Sequence, residues 1–163
     1  MPTEGVADPL DVAELVDQVR RHYDDGCFAC GRENPIGLHL DQFSLSGNTV
    51  EAWFSPRPDY RGFVGSLHGG IAATALDEIL AWAGILTQGV MSVTGRLELR
   101  YRAPLTTDRP CCLRGRVDDV SGRRLRVSGE LVSDGQTAVT AQGAYIATSS
   151  VADVLGTLSQ DLP

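Results

Sequence analysis

The sequence places a histidine and two glycines, His68, Gly69 and Gly70, directly before a long apolar segment. The apolar segment predicts a helix, and the glycines would leave its first turn open to a ligand. The first N–H groups of a helix have no partner within it and lie at the positive end of its dipole. Such donors can polarise a carbonyl oxygen or stabilise an oxyanion. Because glycines are common at helix starts, the pattern alone identifies no reaction.

A carboxylate follows on the same predicted helix, where Gly70, Thr74, Asp77 and Glu78 form a small and polar stripe. Asp77 lies roughly 10 Å beyond Gly70 along the axis, which is too far to act on a carbonyl held at the start of its own helix. If both groups serve one substrate, the aspartate must come from a second copy, with the two helices antiparallel across a two-fold axis. We therefore expect an obligate homodimer, or a dimer of dimers. The alternative is a buried aspartate hydrogen-bonded to a neighbouring turn.

The elements around this helix predict an α+β fold. A first helix is expected over residues 8–22, with Asp8 as its cap, and the central helix from Gly70 to about Leu86. Strands are expected at 38–45, 50–54, 91–103, 110–119, 123–133 and 137–148. Short joins make neighbouring strands antiparallel. The pattern thus predicts a six-stranded antiparallel sheet curled around one buried helix.

Charge is distributed unevenly along the chain. The 163 residues carry 14 basic and 21 acidic side chains, a formal charge of −7. All the basic residues are arginines, and nine lie between residues 96 and 126, where four acidic residues leave a local charge of +5. The acidic total argues against a general nucleic-acid binder. The arginine-rich segment favours a focused anion site, because a guanidinium group matches phosphate. The alternative, for any one of these arginines, is the solvated face of a strand hairpin.

Two cysteines, Cys27 and Cys30, form a C-x-x-C pair in a turn-rich segment. A tetrahedral zinc site needs two more ligands, and Cys111 and Cys112 are adjacent on a predicted strand, so they point to opposite faces. A redox pair is expected near a βαβ pattern, which the sequence lacks. A packed, reduced turn is favoured, and a site shared between subunits stays open. We expect no metal and no cofactor.

Several motifs between about residues 27 and 148 together resemble the PaaI-type hotdog-fold acyl-CoA thioesterases. They are CGRENPIGLHL before the first strand, YRGFVGSLHGG before the central helix, LDE on that helix and TGRLELRYRAPL on the next strand. The resemblance implies the hotdog fold, in which a sheet wraps around one long helix. It also implies hydrolysis of an acyl-CoA thioester.

The resemblance assigns roles to the residues around the helix start. Asp77 would be the catalytic carboxylate, acting as general base on water or as nucleophile on the thioester carbonyl. The backbone N–H of Gly69, with Gly70 beside it, would polarise that carbonyl. His68 would position the substrate or the loop, and Thr94 would orient the attacking water.

The resemblance also bears on residues away from the start of the central helix. Asn34 matches the asparagine of the N-terminal turn motif, and Glu78 would support Asp77. Arg61 departs from the family pattern, since it replaces a neutral residue near the mouth of the site and puts the usual substrate preference in doubt. Coenzyme A phosphates would bind arginines of the basic segment, for which the candidates are Arg96, Arg100, Arg123 and Arg124.

Two other functions remain to be weighed against hydrolysis. A non-catalytic acyl-CoA-binding or sensing module on the same fold would bind tightly without turnover. A hotdog dehydratase would need a differently spaced histidine motif that the sequence lacks.

We expect an N-terminal helical extension (1–26), a hotdog domain (27–150) and a loosely held C-terminal tail (151–163). With no apparent signal sequence and no apolar run long enough to span a membrane, we expect a cytoplasmic protein that binds neither membrane nor nucleic acid.

Overall fold

The structure, a computed structural model, describes residues 9–158. In chain order the elements are α1 (Pro9–His22), β1 (Asp41–Ser46), β2 (Thr49–Phe54), α2 (Gly69–Gln88), β3 (Val90–Tyr101), β4 (Cys111–Ser121), β5 (Arg124–Ser133), β6 (Gln136–Ser150) and α3 (Val151–Leu158). A short 3-10 turn, Pro58–Tyr60, interrupts the loop before α2. The α+β hotdog fold is confirmed, and most element bounds lie within three residues of those expected. The proposed cap Asp8 lies outside the described residues.

The six strands form one antiparallel sheet in the order β1-β2-β4-β5-β6-β3. One expectation is corrected here: β3 and β4 are joined by a short loop but do not pair. Instead β3 crosses to the far edge and pairs with β6 along its length, with Thr94 opposite Tyr145. The loop from 102 to 110 carries the chain from one side of the sheet to the other, and β3 is left as an edge strand.

Helix α2 lies in the hollow of the sheet and supplies much of the core. Its buried side chains include Leu76, Ile79, Leu80 and Trp82. The helix comes close to β4, because a Cβ atom added at Gly115 would lie 2.8 Å from the backbone oxygen of Ile79. Glycine is therefore required in the middle of this strand. By length and composition α2 is the one described helix that could cross a membrane, but half of the span is buried and five strands pack against it, as in a core helix.

The two terminal helices pack against each other at one side of the fold. In α1 the apolar stripe Val12, Val16 and Val19 is buried as its spacing predicts. The C-terminal segment differs from the expected loose tail, since 151–158 form α3. The hydroxyl of Ser150 accepts a bond from the Asp153 backbone N–H at 3.0 Å, in the manner of an N-cap.

Candidate active site

The start of α2 leaves one backbone donor free. His68 is the N-cap residue, and its Nδ1 accepts the Gly70 N–H at 2.9 Å. The next N–H, that of Ile71, bonds to the His68 carbonyl at 2.9 Å. Among the described residues none accepts the N–H of Gly69, which is exposed. The free donor is thus the one predicted at Gly69, whereas the N–H of Gly70 is used by the cap.

A tyrosine that sequence reasoning did not place at this site lies beside the free donor. The hydroxyl of Tyr101 donates to the Gly69 carbonyl oxygen at 2.6 Å, and its ring lies against Gly69. Burial raises the pKa of Tyr101, so the phenol stays protonated at neutral pH and can donate this bond. The ring borders a groove of about 750 Å³ whose other walls are largely apolar, including Phe63, Leu67, Ala103 and Leu105.

The carboxylate of Asp77 is held by two hydroxyl groups from neighbouring strands. Oδ1 accepts a bond from Thr94 Oγ1 at 2.7 Å and one from the Tyr145 hydroxyl at 2.5 Å. These residues face each other across β3 and β6, so strand register delivers both to one oxygen. Burial and the bond to Asp77 raise the pKa of Tyr145 well above its ordinary value, which keeps the phenol a donor. Oδ2 receives no bond from the described part of the chain.

The structure therefore brings Thr94 to Asp77, and it adds Tyr145, which sequence reasoning missed. It does not bring Asp77 to Gly69. Since α2 is continuous from Gly69, the two residues are separated by eight rises, about 12 Å along the axis. One chain holds two half-sites, one with a donor and one with a carboxylate.

Glu78, expected beside Asp77, lies in a different cluster. Its Oε1 accepts the Trp82 indole N–H at 3.0 Å and the Cys27 thiol at 3.6 Å. Burial raises the pKa of Glu78 to about 7. A hydrogen bond with Cys30 lowers the pKa of Cys27 to about 5, and the same bond, together with burial, raises that of Cys30 far above its ordinary value. The described bonds of Glu78 thus go to Trp82 and Cys27, and none joins it to Asp77, which it was expected to support.

Asn34 is occupied by the turn that contains it. Its amide nitrogen donates to the Gly26 carbonyl at 3.2 Å, and its side-chain oxygen accepts the Ile36 N–H at 3.1 Å. Its own carbonyl lies 2.5 Å from the His39 ring. The structure does not join Asn34 to Asp77, and within one chain the residue holds the N-terminal turn.

The candidate arginines differ in whether they are already paired. Arg96 forms an ion pair with Glu98 at 2.6 Å. No described acidic group pairs with Arg61, Arg100, Arg123 or Arg124, all of which are exposed. Arg100 lines a groove of about 870 Å³ whose lining includes three further arginines, Arg102, Arg114 and Arg116. Arg123 and Arg124 lie at the β4–β5 turn, with Arg124 opposite Ile146, the residue after Tyr145.

Comparisons with known proteins bear on this arrangement. Residues 64–140, which contain the helix start, Asp77 and Thr94, match the thioesterase superfamily. An uncharacterized protein of Schizosaccharomyces pombe is 34% identical over 89 residues. That match covers 53% of this chain and 50% of the yeast protein, so the chain spans about half the length of this curated relative.

Several solved structures share the fold. Protein RHA08564, described as a thioesterase superfamily protein, has a TM-score of 0.70 at 25% identity and covers 89% of this chain and 81% of its own. The PaaI protein of the E. coli phenylacetic acid degradation operon has a TM-score of 0.69 at 14% identity, with 85% and 96% covered. Protein smu.793 of Streptococcus mutans, solved bound to acetyl-CoA, has a TM-score of 0.65 at 19% identity, with 73% and 96% covered.

Proposed function

We propose that this chain hydrolyses acyl-CoA thioesters to a free acid and coenzyme A. The proposal starts from the premise that the chain has the PaaI-type hotdog fold and belongs to the thioesterase superfamily. The observation that carries the proposal is the pair of half-sites on α2. At one, the Gly69 N–H has no acceptor among the described residues. At the other, two hydroxyls fix one oxygen of Asp77 and leave Oδ2 free to react.

The half-sites require a second copy of the chain. They are about 12 Å apart along one helix, whereas the atoms that react with one carbonyl must lie within about 3–3.5 Å of it. Strand β3, which carries Thr94, is a twelve-residue edge strand, so one side of its backbone has no strand partner within the described chain. Pairing of β3 with its copy across a two-fold axis would bring the two α2 helices together antiparallel and create two equivalent sites.

The proposed site works by polarisation and attack. The thioester carbonyl oxygen accepts the Gly69 N–H of one subunit, and the positive end of the α2 dipole favours the negative charge that develops there. Asp77 of the partner subunit either takes a proton from the attacking water or attacks the carbonyl carbon itself. In both routes the C–S bond breaks and the coenzyme A thiolate leaves. In the second route the acyl group is left on Asp77 as a mixed anhydride, which water then hydrolyses to the free acid. Thr94 and Tyr145 keep the carboxylate in one orientation.

The two ends of the substrate would meet different surfaces. The largely apolar groove beside Tyr101 suits the acyl group, since it begins at the free donor and is lined by Phe63, Leu67 and Leu105. The coenzyme A phosphates need cations that are not already paired. Arg123 and Arg124 meet this condition at the β4–β5 turn, where Arg124 lies opposite Ile146, the residue after Tyr145, whereas Arg96 is neutralised by Glu98.

Thiol release from a panel of acyl-CoAs tests the proposal. We expect turnover by the wild type and a loss of at least about 100-fold in Asp77→Asn, because the carboxylate supplies the attacking group. The matched control is Asp119→Asn, an exposed carboxylate on β4 without an ion pair in the described structure. Tight acyl-CoA binding without turnover would instead identify a binding or sensing module. Equal rates in wild type and Asp77→Asn would refute the assignment.

The arginine assignment has its own test. Arg124→Gln should raise KM for acyl-CoA by about tenfold, as expected for one charge-assisted contact to phosphate, and leave hydrolysis of an acyl-pantetheine, which lacks the nucleotide phosphates, unchanged. Arg109→Gln is the control, since Arg109 is paired with Asp134 at 2.9 Å. An equal effect on both substrates would place Arg124 outside the phosphate site.

A further inference from the structure

Three ligand-type side chains from distant parts of the sequence meet beside α2. The thiols of Cys27 and Cys30 and a carboxylate oxygen of Glu78 all lie within 4.8 Å of one another, and Cys27 Sγ is 3.6 Å from Glu78 Oε1. Cys30 is buried, while Cys27 and Glu78 are half-buried. This cluster lies outside the two half-sites and takes no part in the proposed hydrolysis.

The backbone holds the two thiols in place. The turn is closed by a bond from the Gly31 N–H to the Cys27 carbonyl at 2.9 Å, and the buried Arg20 donates to the Cys30 carbonyl at 2.9 Å. A Cβ atom at Gly31 would lie 2.5 Å from the Cys27 nitrogen, so this tight turn accepts only glycine. The thiols are therefore presented in one arrangement before any ligand binds.

The third group is held just as firmly. The indole N–H of Trp82, one helical turn along α2, donates to Glu78 Oε1 at 3.0 Å and sets the direction of the carboxylate. Partners of this kind orient metal ligands in many proteins. Phe43 packs on Trp82 with ring centres 4.9 Å apart, so the indole is itself fixed.

No described cation is paired with the ligand groups of the cluster. No described arginine or histidine forms an ion pair with Glu78. Arg20 donates to the carbonyls of Cys30 and Leu40 and pairs with Asp41 at 3.9 Å. A half-buried carboxylate with two cysteines beside it is more costly to ionise without a compensating cation than one in water. A metal ion supplies that charge.

We propose that Cys27, Cys30 and Glu78 form a zinc site. Two sulfur ligands and one carboxylate oxygen match the ligands that Zn²⁺ takes, and C-x-x-C is the spacing at which one turn presents two of them. Three protein ligands leave a fourth position for water, which can enter beside the half-buried Cys27. On binding, both cysteines ligate as thiolates, and the zinc ties the N-terminal turn to α2 one residue from Asp77. The site does not depend on thioester hydrolysis.

Metal titration of the whole protein tests the site without any variant. After dialysis against a chelator, we expect one equivalent of Zn²⁺ per chain to bind, and Co²⁺ to give the thiolate charge-transfer and visible bands of a tetrahedral sulfur site. Zinc should also raise Tm, since it binds the folded state. Absence of stoichiometric binding and of the cobalt bands would overturn the proposal. A Cys27–Cys30 disulfide in protein kept under reductant would overturn it as well.

Variants assign the ligands. Cys30→Ser and Glu78→Gln should each weaken zinc binding by about 100-fold or more. Loss of a zinc ligand should lower the affinity at least as much as loss of a residue that hydrogen-bonds to a ligand. Trp82→Phe, which removes only the bond to Glu78, should weaken it by about tenfold. Cys112→Ser, a buried thiol outside the cluster, is the matched control and should bind as the wild type does. Zinc affinity that is equal in Cys30→Ser and Cys112→Ser would contradict the ligand set.

Discussion

Replacing Gly69 by proline removes one hydrogen-bond donor and leaves α2 able to form. Gly69 is the first helical residue after the cap, where proline is well accepted because that N–H has no partner inside the helix. The residue before a proline must be extended, and His68 already is, with φ −63 and ψ 131. A Cβ at Gly69 would lie 3.5 Å from the Tyr101 ring, an ordinary contact. The substitution therefore removes the N–H, and puts the proline Cδ in its place, while α2 can keep its first turn.

The expected loss is large. A backbone donor aimed at a developing oxyanion is typically worth about 2.7–4 kcal/mol, so kcat should fall by about 10²–10³-fold in Gly69→Pro. KM should change less, because the bond strengthens as charge develops on the oxygen. Gly69→Ala is the matched control, since it adds the same Cβ, keeps the N–H and should retain most of the activity. The assay is thiol release from the best acyl-CoA, with Tm measured for each variant. Equal kcat in the proline and alanine variants, at similar Tm, would refute the assignment of Gly69 as the donor.

Two further predictions concern side-chain contacts. Each hydrogen bond from a hydroxyl to the Asp77 carboxylate is worth about 1.5–3 kcal/mol. Tyr145→Phe and Thr94→Val should therefore each lower kcat by at least about tenfold, with the larger loss for the buried tyrosine. If kcat is unchanged in both variants, neither hydroxyl positions the carboxylate. Burial acts to raise the pKa of Asp25, but bonds from the Arg32 N–H and guanidinium hold it below 3.8. The Arg32–Asp25 pair therefore stabilises the fold above that pH. At neutral pH, Arg32→Gln should lower the free energy of unfolding by about 1 kcal/mol, a small value because Arg32 is half exposed. Measured by urea unfolding, the difference from the wild type should shrink as the pH falls below 3.8, and a difference that stays constant would contradict this prediction.

Local sequence signals predicted the helices and strands well. Helix α2 is marked by apolar residues on nearly all sides, by His68 at its start and by Gly89 after its end, where the backbone is left-handed with φ 64. Its structural bounds differ from those expected by one or two residues. The separation of Gly69 from Asp77 follows from helix geometry alone, so the need for two half-sites could also be derived from the sequence.

No local sequence pattern indicates which strands pair when they are far apart in the chain. The pairing of β3 with β6 depends on a crossover, and no local pattern specifies it. Tyr145 was missed for this reason, since its place beside Asp77 follows only from its position opposite Thr94. The cluster at Glu78 was missed in the same way, because its two thiols lie 51 and 48 residues earlier in the sequence. Helix α3 did have a signal, a serine cap at Ser150, but Gly156 and its short length hid it.

A mixed dimer tests whether each site takes its N–H from one chain and its carboxylate from the other. One chain carries Gly69→Pro and the other Asp77→Asn, and two affinity tags isolate the heterodimer after co-expression. One of its two sites would then be intact and the other would lack both groups. We expect about half of the wild-type activity per dimer, although each parent homodimer is nearly inactive. Activity no higher than that of the parents would mean that both groups act within one chain, and would contradict the account.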